Sequence, residues 1–267
     1  GNMGSGMADN LVKHGFEVLA FDLSETAMNA AKANGCSLAR SGPEAVAQAN
    51  IVVTMLPAGN HVDTVYHSDV LPNAKPGTLL VDCSTIDVAT AKKVSASAQS
   101  QGFEMVDAPV SGGTKAAADG TLTFMVGGSD TGFEQAQGVL EAMGRKIVHA
   151  GEHGAGQAAK ICNNMLLGAS MVATCETFQL AQKLGLDPQV FFDISSNASG
   201  QNWSMTSYCP VAGVGPQSPS DNQYEGGFAS TLMLKDLTLA LMSAKDVDAD
   251  VPMGEKAQAL YEKWCEG

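Results

Sequence analysis

Through the first half of the chain, short runs of β-branched and apolar residues alternate with alanine-rich stretches of helical period. The runs predict strands at 17–22, 51–56, 78–84, 104–110, 121–128 and 146–150. Helices are expected between them. Ser24 is placed to cap one that runs to Asn34 and stops at Gly35; others cover 87–101 and 130–143. Strands that alternate with helices of 10–15 residues read as βαβ units on a mostly parallel sheet.

The pattern changes near residue 151. An apolar-periodic run without proline covers 155–184 and ends at Gly185. Asp187-Pro188 then supplies a capping acid and a proline suited to the first helical position. A Gly-, Pro-, Ser- and Asn-rich loop fills 204–227, and 228–245 is again helical. The expected organisation is an α/β domain over 1–151 and an all-helical domain over 152–267.

Composition narrows the function classes. The chain has 267 residues, 45% of them hydrophobic, enough for a sizeable core. Its net charge of −13 disfavours a nucleic-acid partner, because phosphate backbones recruit clustered Lys and Arg. The same balance argues against a basic membrane-surface helix, and the longest apolar stretch, 165–173, is too short to span a bilayer. The six cysteines, Cys36, Cys83, Cys162, Cys175, Cys209 and Cys265, form no CxxC pair. They read as buried thiols of a reducing compartment, and no metal-ligand cluster is expected.

The candidate chemistry begins at the first residue. Gly1-Asn2-Met3-Gly4 fits the second and third glycines of a G-x-G-x-x-G dinucleotide turn, the third allowing close packing of helix on sheet. The first glycine and the strand before it are not in the sequence, so the sheet is expected to lack a central strand and the chain to be part of a longer one. Asp22, at the end of the next predicted strand, stands where the ribose-binding acid belongs. With Leu23-Ser24 rather than Arg after it, NAD is favoured over NADP. A helix-capping Asp is the plainer reading of the same residue.

Asp107-Ala108-Pro109-Val110-Ser111-Gly112-Gly113 follows a strand. Ser111, Gly112 and Gly113 offer backbone amides and a hydroxyl suited to a carboxylate, or form an ordinary tight turn. Lys160 and Asn164, at i and i+4, share a helix face with small and apolar neighbours. Burial disfavours the ammonium form, which makes such an amine a usable acid and base; the alternative is a lysine that reaches to solvent. Lys235-Asp236 interrupts an apolar helix in the same two-sided way.

Together, in order and spacing, these segments resemble the β-hydroxyacid dehydrogenase family over essentially the whole chain. The resemblance covers Gly1–Gly4, Asp107 through Gly113 and on to Leu122, Gly154 to Asn164, and Lys235-Asp236-Leu237. Within the family, Trp203-Ser204, Tyr208, Pro210, Gly213 and Gly226-Gly227-Phe228 look like the 3-hydroxyisobutyrate dehydrogenases, as do Met55-Leu56-Pro57 and Ser84-Thr85-Ile86-Asp87. The resemblance implies a Rossmann-type doubly wound sheet, here without its first strand, followed by an all-helical domain that also makes a homodimer or homotetramer. It implies Lys160 as general acid/base, and Ser111, Gly112, Gly113 and Asn164 on a small hydroxy-acid substrate. For NAD it implies Gly1, Asn2, Met3, Gly4, Asp22, Leu56, Pro57, Thr85 and Lys235, with no metal. The setting it implies is valine breakdown, in a bacterial cytoplasm or a mitochondrial matrix. A tartronate or succinic semialdehyde reductase of the same family is the neighbouring reading. More distant are a non-catalytic dinucleotide-binding module, which should lack Lys160, and 6-phosphogluconate dehydrogenase, which needs a longer helical domain.

Overall fold

The computed structural model describes residues 1–266. It divides into two compact units, Gly1–Lys160 and Ile161–Gly267.

The first unit opens with α1 (Asn2–Lys13) and continues through β1 (Leu19–Ala20), α2 (Glu25–Ala33), β2 (Ser37–Leu38), α3 (Gly42–Gln48), β3 (Ile51–Thr54) and α4 (Gly59–Val65). Then follow β4 (Leu79–Asp82), α5 (Val88–Ser100), β5 (Met105–Asp107), β6 (Val110–Ser111), α6 (Gly113–Asp119), β7 (Leu122–Gly127), α7 (Asp130–Glu141), β8 (Gly144–Gly151) and the start of α8 (Ala155–Lys183). Ser24 caps α2 as the sequence predicts, accepting the Ala27 N–H, and Asp87 caps α5 in the same way by accepting the Thr90 N–H.

β3, β4 and β5 pair in parallel. β7 pairs with β8 in parallel but with β5 and β6 antiparallel, so this sheet is mixed. β1 and β2 form a separate parallel pair. The sheet is therefore in two pieces, divided between β1 and β3. Val18, Ile51 and Val53 nevertheless pack on one core with Val81, Val106, Leu122 and Phe124. A second core on other residues of these strands joins Leu80 and Met105 to Val62, Tyr66, Ile86 and Val94. Two cores drawn from alternate residues of the same strands are what a sheet covered on both faces requires.

The second unit is helical: the rest of α8, then α9 (Pro188–Ser195), α10 (Trp203–Thr206), a 3₁₀ turn at Pro219–Asn222, α11 (Ser230–Asp246) and α12 (Pro252–Glu266). Val172, Met233, Leu237, Ala257 and Tyr261 form its main core. Gly168 lets α8 and α11 approach closely, since a Cβ there would lie 3.1 Å from both Met233 Sδ and Leu237 Cδ2. The first turn of α8 is tied to β5 by Asp107 and to the loop after β4 by the Gln157 side chain. Among the described residues no helix is long and apolar enough to cross a membrane. The thiols are less uniformly buried than expected: Cys162 is exposed, and Cys175 and Cys265 are partly so.

The Asp187 carboxylate caps α9, accepting the N–H of Gln189 at 2.9 Å and of Val190 at 3.1 Å. Asp187→Ala should cost about 1 kcal/mol, read as a lower urea midpoint with an unchanged slope.

Candidate active site

In the first unit Asp22, Leu56, Pro57 and Thr85 follow the C-terminal ends of parallel strands, where open α/β sheets bind their ligands. Gly1 is the N-cap of α1, and Asn2, Met3 and Gly4 form its first turn. The Asp22 carboxylate lies beside the Gly1 nitrogen and accepts the Ser24 N–H at 2.8 Å. A cavity of about 220 Å³ lies between the starts of α1 and α2, lined by Gly1, Asn2, Ser5, Ser24 and Thr26 among others. Unpaired N–H groups at a helix start, a neighbouring acid and glycine in the turn fit a dinucleotide's pyrophosphate and ribose.

A Cβ on Gly4 would meet Met55 at an ordinary 3.7 Å. Gly6 is the tighter of the two, for its Cβ would lie 2.8 Å from the backbone of Ala117 and Ala118. There α1 presses on α6, and Asn10 Nδ2 fixes the contact by donating to the Ala117 carbonyl at 2.7 Å. The helix close to α1 is thus the one that opens with the predicted substrate segment.

Leu56 and Pro57 follow β3, and Thr85 follows β4. A buried polar network holds these two loops. Asp82 Oδ1 accepts from Thr54 Oγ1 at 2.7 Å and from Ser84 Oγ at 2.6 Å, while Ser84 Oγ accepts the Leu56 N–H at 2.8 Å. Tyr66 joins through its hydroxyl, 3.1 Å from Thr54 Oγ1. Burial pushes the Asp82 carboxyl above its ordinary range, opposed by the hydrogen bonds from Ser84 and Thr54.

Ser111 ends β6, Gly112 is the N-cap of α6 and Gly113 its first residue. Gly112 and Gly113 have φ of 132° and 70°, so this turn needs glycine at both positions. Asp107, which opens the segment, is 1% exposed. Its two oxygens accept the N–H of Gly154 at 2.7 Å and of Gln157 at 2.9 Å, anchoring the start of α8.

Burial lifts the Asp107 carboxyl from 3.8 to about 6, against the pull of those two amides. A folded-state value above the unfolded one means that protonation favours folding. This contribution is full below pH 4 and is lost as pH rises through 6; its size is about 3 kcal/mol. Asp107→Asn should therefore remove that much of the stability–pH slope between pH 4 and 6, measured by urea denaturation beside the parent. An equal slope in both proteins would show that Asp107 does not titrate there.

Lys160 lies on α8, buried at 6% exposure, which disposes of the solvent-reaching alternative. In the second unit, Asn164 is also buried and donates through Nδ2 to Asp236 Oδ2 at 2.5 Å. Asp236 is buried as well, and its Oδ1 lies 3.7 Å from Lys235 Nζ. The second unit thus brings Asn164 and Lys235 to one carboxylate. Asp82, Ser84, Gln157 and Asp236 are not among the sequence-derived site residues; Ser84 and Asp236 stand next to Thr85 and Lys235, and Asp82 and Gln157 are both bonded to Ser84. Among the described residues no cluster of His, Cys, Asp and Glu suits a metal ion.

Residues 1–151 match the family model described as the NAD binding domain of 6-phosphogluconate dehydrogenase. Residues 154–267 match the one described as NAD-binding of NADP-dependent 3-hydroxyisobutyrate dehydrogenase. The chain is 48% identical over 265 residues to a probable 3-hydroxyisobutyrate dehydrogenase of Mycobacterium tuberculosis, covering 99% of this chain and 90% of that protein. It is 46% identical over 263 residues to an NAD-dependent L-serine dehydrogenase of Pseudomonas aeruginosa, covering 98% and 88%. Among solved structures, Mycobacterium tuberculosis 3-hydroxyisobutyrate dehydrogenase with L-serine superposes with a TM-score of 0.95 at 48% identity, over 100% of this chain and 91% of that one. NAD is the cofactor. With these likenesses spanning nearly all of its length, the chain belongs to the NAD-dependent β-hydroxyacid dehydrogenase family.

Proposed function

We propose that this protein oxidises 3-hydroxyisobutyrate to methylmalonate semialdehyde, a step of valine breakdown. The carrying observation is the likeness over 99% of the chain to a relative named for that substrate, at 48% identity. Bound NAD would supply the acceptor for the hydride of the hydroxymethyl carbon. The protein removes the hydroxyl proton and holds the acid.

Lys160 is the general acid/base that takes that proton. The amides of Gly112 and Gly113 with the Ser111 hydroxyl receive the carboxylate, and the two positive-φ glycines hold those amides without side-chain bulk. Asn164 orients the substrate, itself held by Asp236. Gly1, Asn2, Met3, Gly4, Asp22, Leu56, Pro57 and Thr85 bind NAD, and Lys235 serves its nicotinamide end.

L-Serine is the second reading, favoured by the relative named for it. The two substrates share the hydroxymethyl and carboxylate groups and differ by a methyl against an ammonium. An ammonium needs an acceptor in the pocket, whereas a methyl needs only apolar contact, so the two substrates call for different surroundings at that one position. Initial rates of NADH formation with 3-hydroxyisobutyrate, L-serine and glycerate decide between them. A kcat/KM for 3-hydroxyisobutyrate at least about 100-fold above the others is expected. A preference for serine or glycerate overturns the assignment.

The same proposal includes a homodimer or homotetramer. Leu166 and Leu180 are exposed on α8 and Leu184 just beyond its end, with Val190 and Ile194 exposed on α9. Sedimentation velocity measures the state.

A further inference from the structure

Gln157 has no place in the chemistry above, yet it is fully buried. Its side-chain amide makes two bonds to one loop: Oε1 accepts the Ile86 N–H at 3.0 Å, and Nε2 donates to the Ser84 carbonyl at 2.8 Å. Thr85 lies between those two residues, so both flanks of this cofactor-side position are fixed by one amide. The Gln157 backbone N–H is held in turn by Asp107 Oδ2. Lys160 is less than one helical turn further along α8.

We infer that Gln157 is a positioning residue that registers the Ser84-Thr85-Ile86 loop against the helix turn carrying Lys160. A lone side chain rarely satisfies a donor and an acceptor on opposite sides of a single residue; doing so reproduces the pairing of an adjacent strand. Asp107 supplies the second half of the device, because its two oxygens fix where α8 begins. Loop and helix therefore cannot shift separately without stranding buried backbone groups. Hydride and proton leave the same alcohol carbon and oxygen, so the cofactor-side loop and the proton-accepting amine must keep a fixed spacing. The inference rests on the acid/base role proposed for Lys160.

Gln157→Met keeps the volume and removes both bonds. Per folded enzyme, kcat is expected to fall about 10- to 100-fold and KM for NAD to rise, with KM for the hydroxy acid changed much less. The primary deuterium isotope effect on kcat should move toward its full value as the chemical step slows. A role in folding alone would lower the melting temperature and leave all three kinetic quantities unchanged, and that result overturns the inference. If Gln157→Met does not fold, Gln157→Glu decides: it keeps the shape and the acceptor for Ile86, removes the donor to Ser84, and should show the same split. Lys160→Ala is measured alongside. An inactive Lys160→Ala beside an unaltered Gln157 variant rejects the positioning role alone. Normal turnover in Lys160→Ala removes the acid/base reading, and the register argument with it.

Discussion

Replacing Lys160 with methionine should lower kcat about 100- to 10,000-fold, counted per folded enzyme. Lys160 is 6% exposed, and methionine fills nearly the same volume without a proton to exchange. A lysine retained for stability alone would show near-normal turnover in the folded fraction, whatever the change in melting temperature. Lys160→Ala should be equally slow but somewhat less stable, because it leaves a cavity. Partial recovery of Lys160→Ala by added methylamine would identify the missing group as an amine. If the methionine variant turns over at the parent rate, proton transfer belongs elsewhere.

The elements that sequence reading located are those with local signals. The strands at 51–56, 78–84 and 121–128 appear at 51–54, 79–82 and 122–127, and the 17–22 strand only as Leu19–Ala20. The ends retreat because β propensity marks an apolar run, whereas a strand lasts only as long as its partner's ladder. Caps are equally legible: Ser24 and Asp187 each accept the amides their positions predict. Short α3, α4 and α6 carried too few apolar repeats to be read as helices. α12 was missed although Pro252 stands at its start, because Val251-Pro252 follows an acidic stretch that resembles a loop.

The site residues are legible as motifs, but the network that fixes them is not. Asp107 meets Gln157 across fifty positions, and Thr54 meets Asp82 across 28. No local period encodes such pairs; they arise because parallel strands bring their C-terminal ends to one edge, where polar side chains must find one another once water is gone. The close contact at Gly6 is equally hidden from the sequence, because it depends on where α6 crosses α1.

The same crowding makes Gly156 the most demanding position in the first unit. A Cβ there would lie 2.4 Å from the Met125 carbonyl oxygen, 2.5 Å from that of Asp107 and 2.8 Å from Asp107 Oδ2. None of these can give way cheaply. Met125 and Asp107 sit in β7 and β5, whose ladders hold their backbones, and Oδ2 is committed to the Gln157 amide. Gly156→Ala gains helix propensity worth about 1 kcal/mol and must still displace α8 from the sheet. The displacement breaks the Asp107 and Gln157 bonds together, so a net loss of about 3 kcal/mol or more is expected, with the melting temperature down by about 6–12 °C. Gly138→Ala is the matched control, since its Cβ would meet nothing within 4 Å on the exposed side of α7. That change should raise stability by about 0.5–1 kcal/mol. Equal effects at the two positions would mean that α8 does not press on the sheet at Gly156. Opposite signs would show that a single added methyl is decided by the two carbonyls it meets.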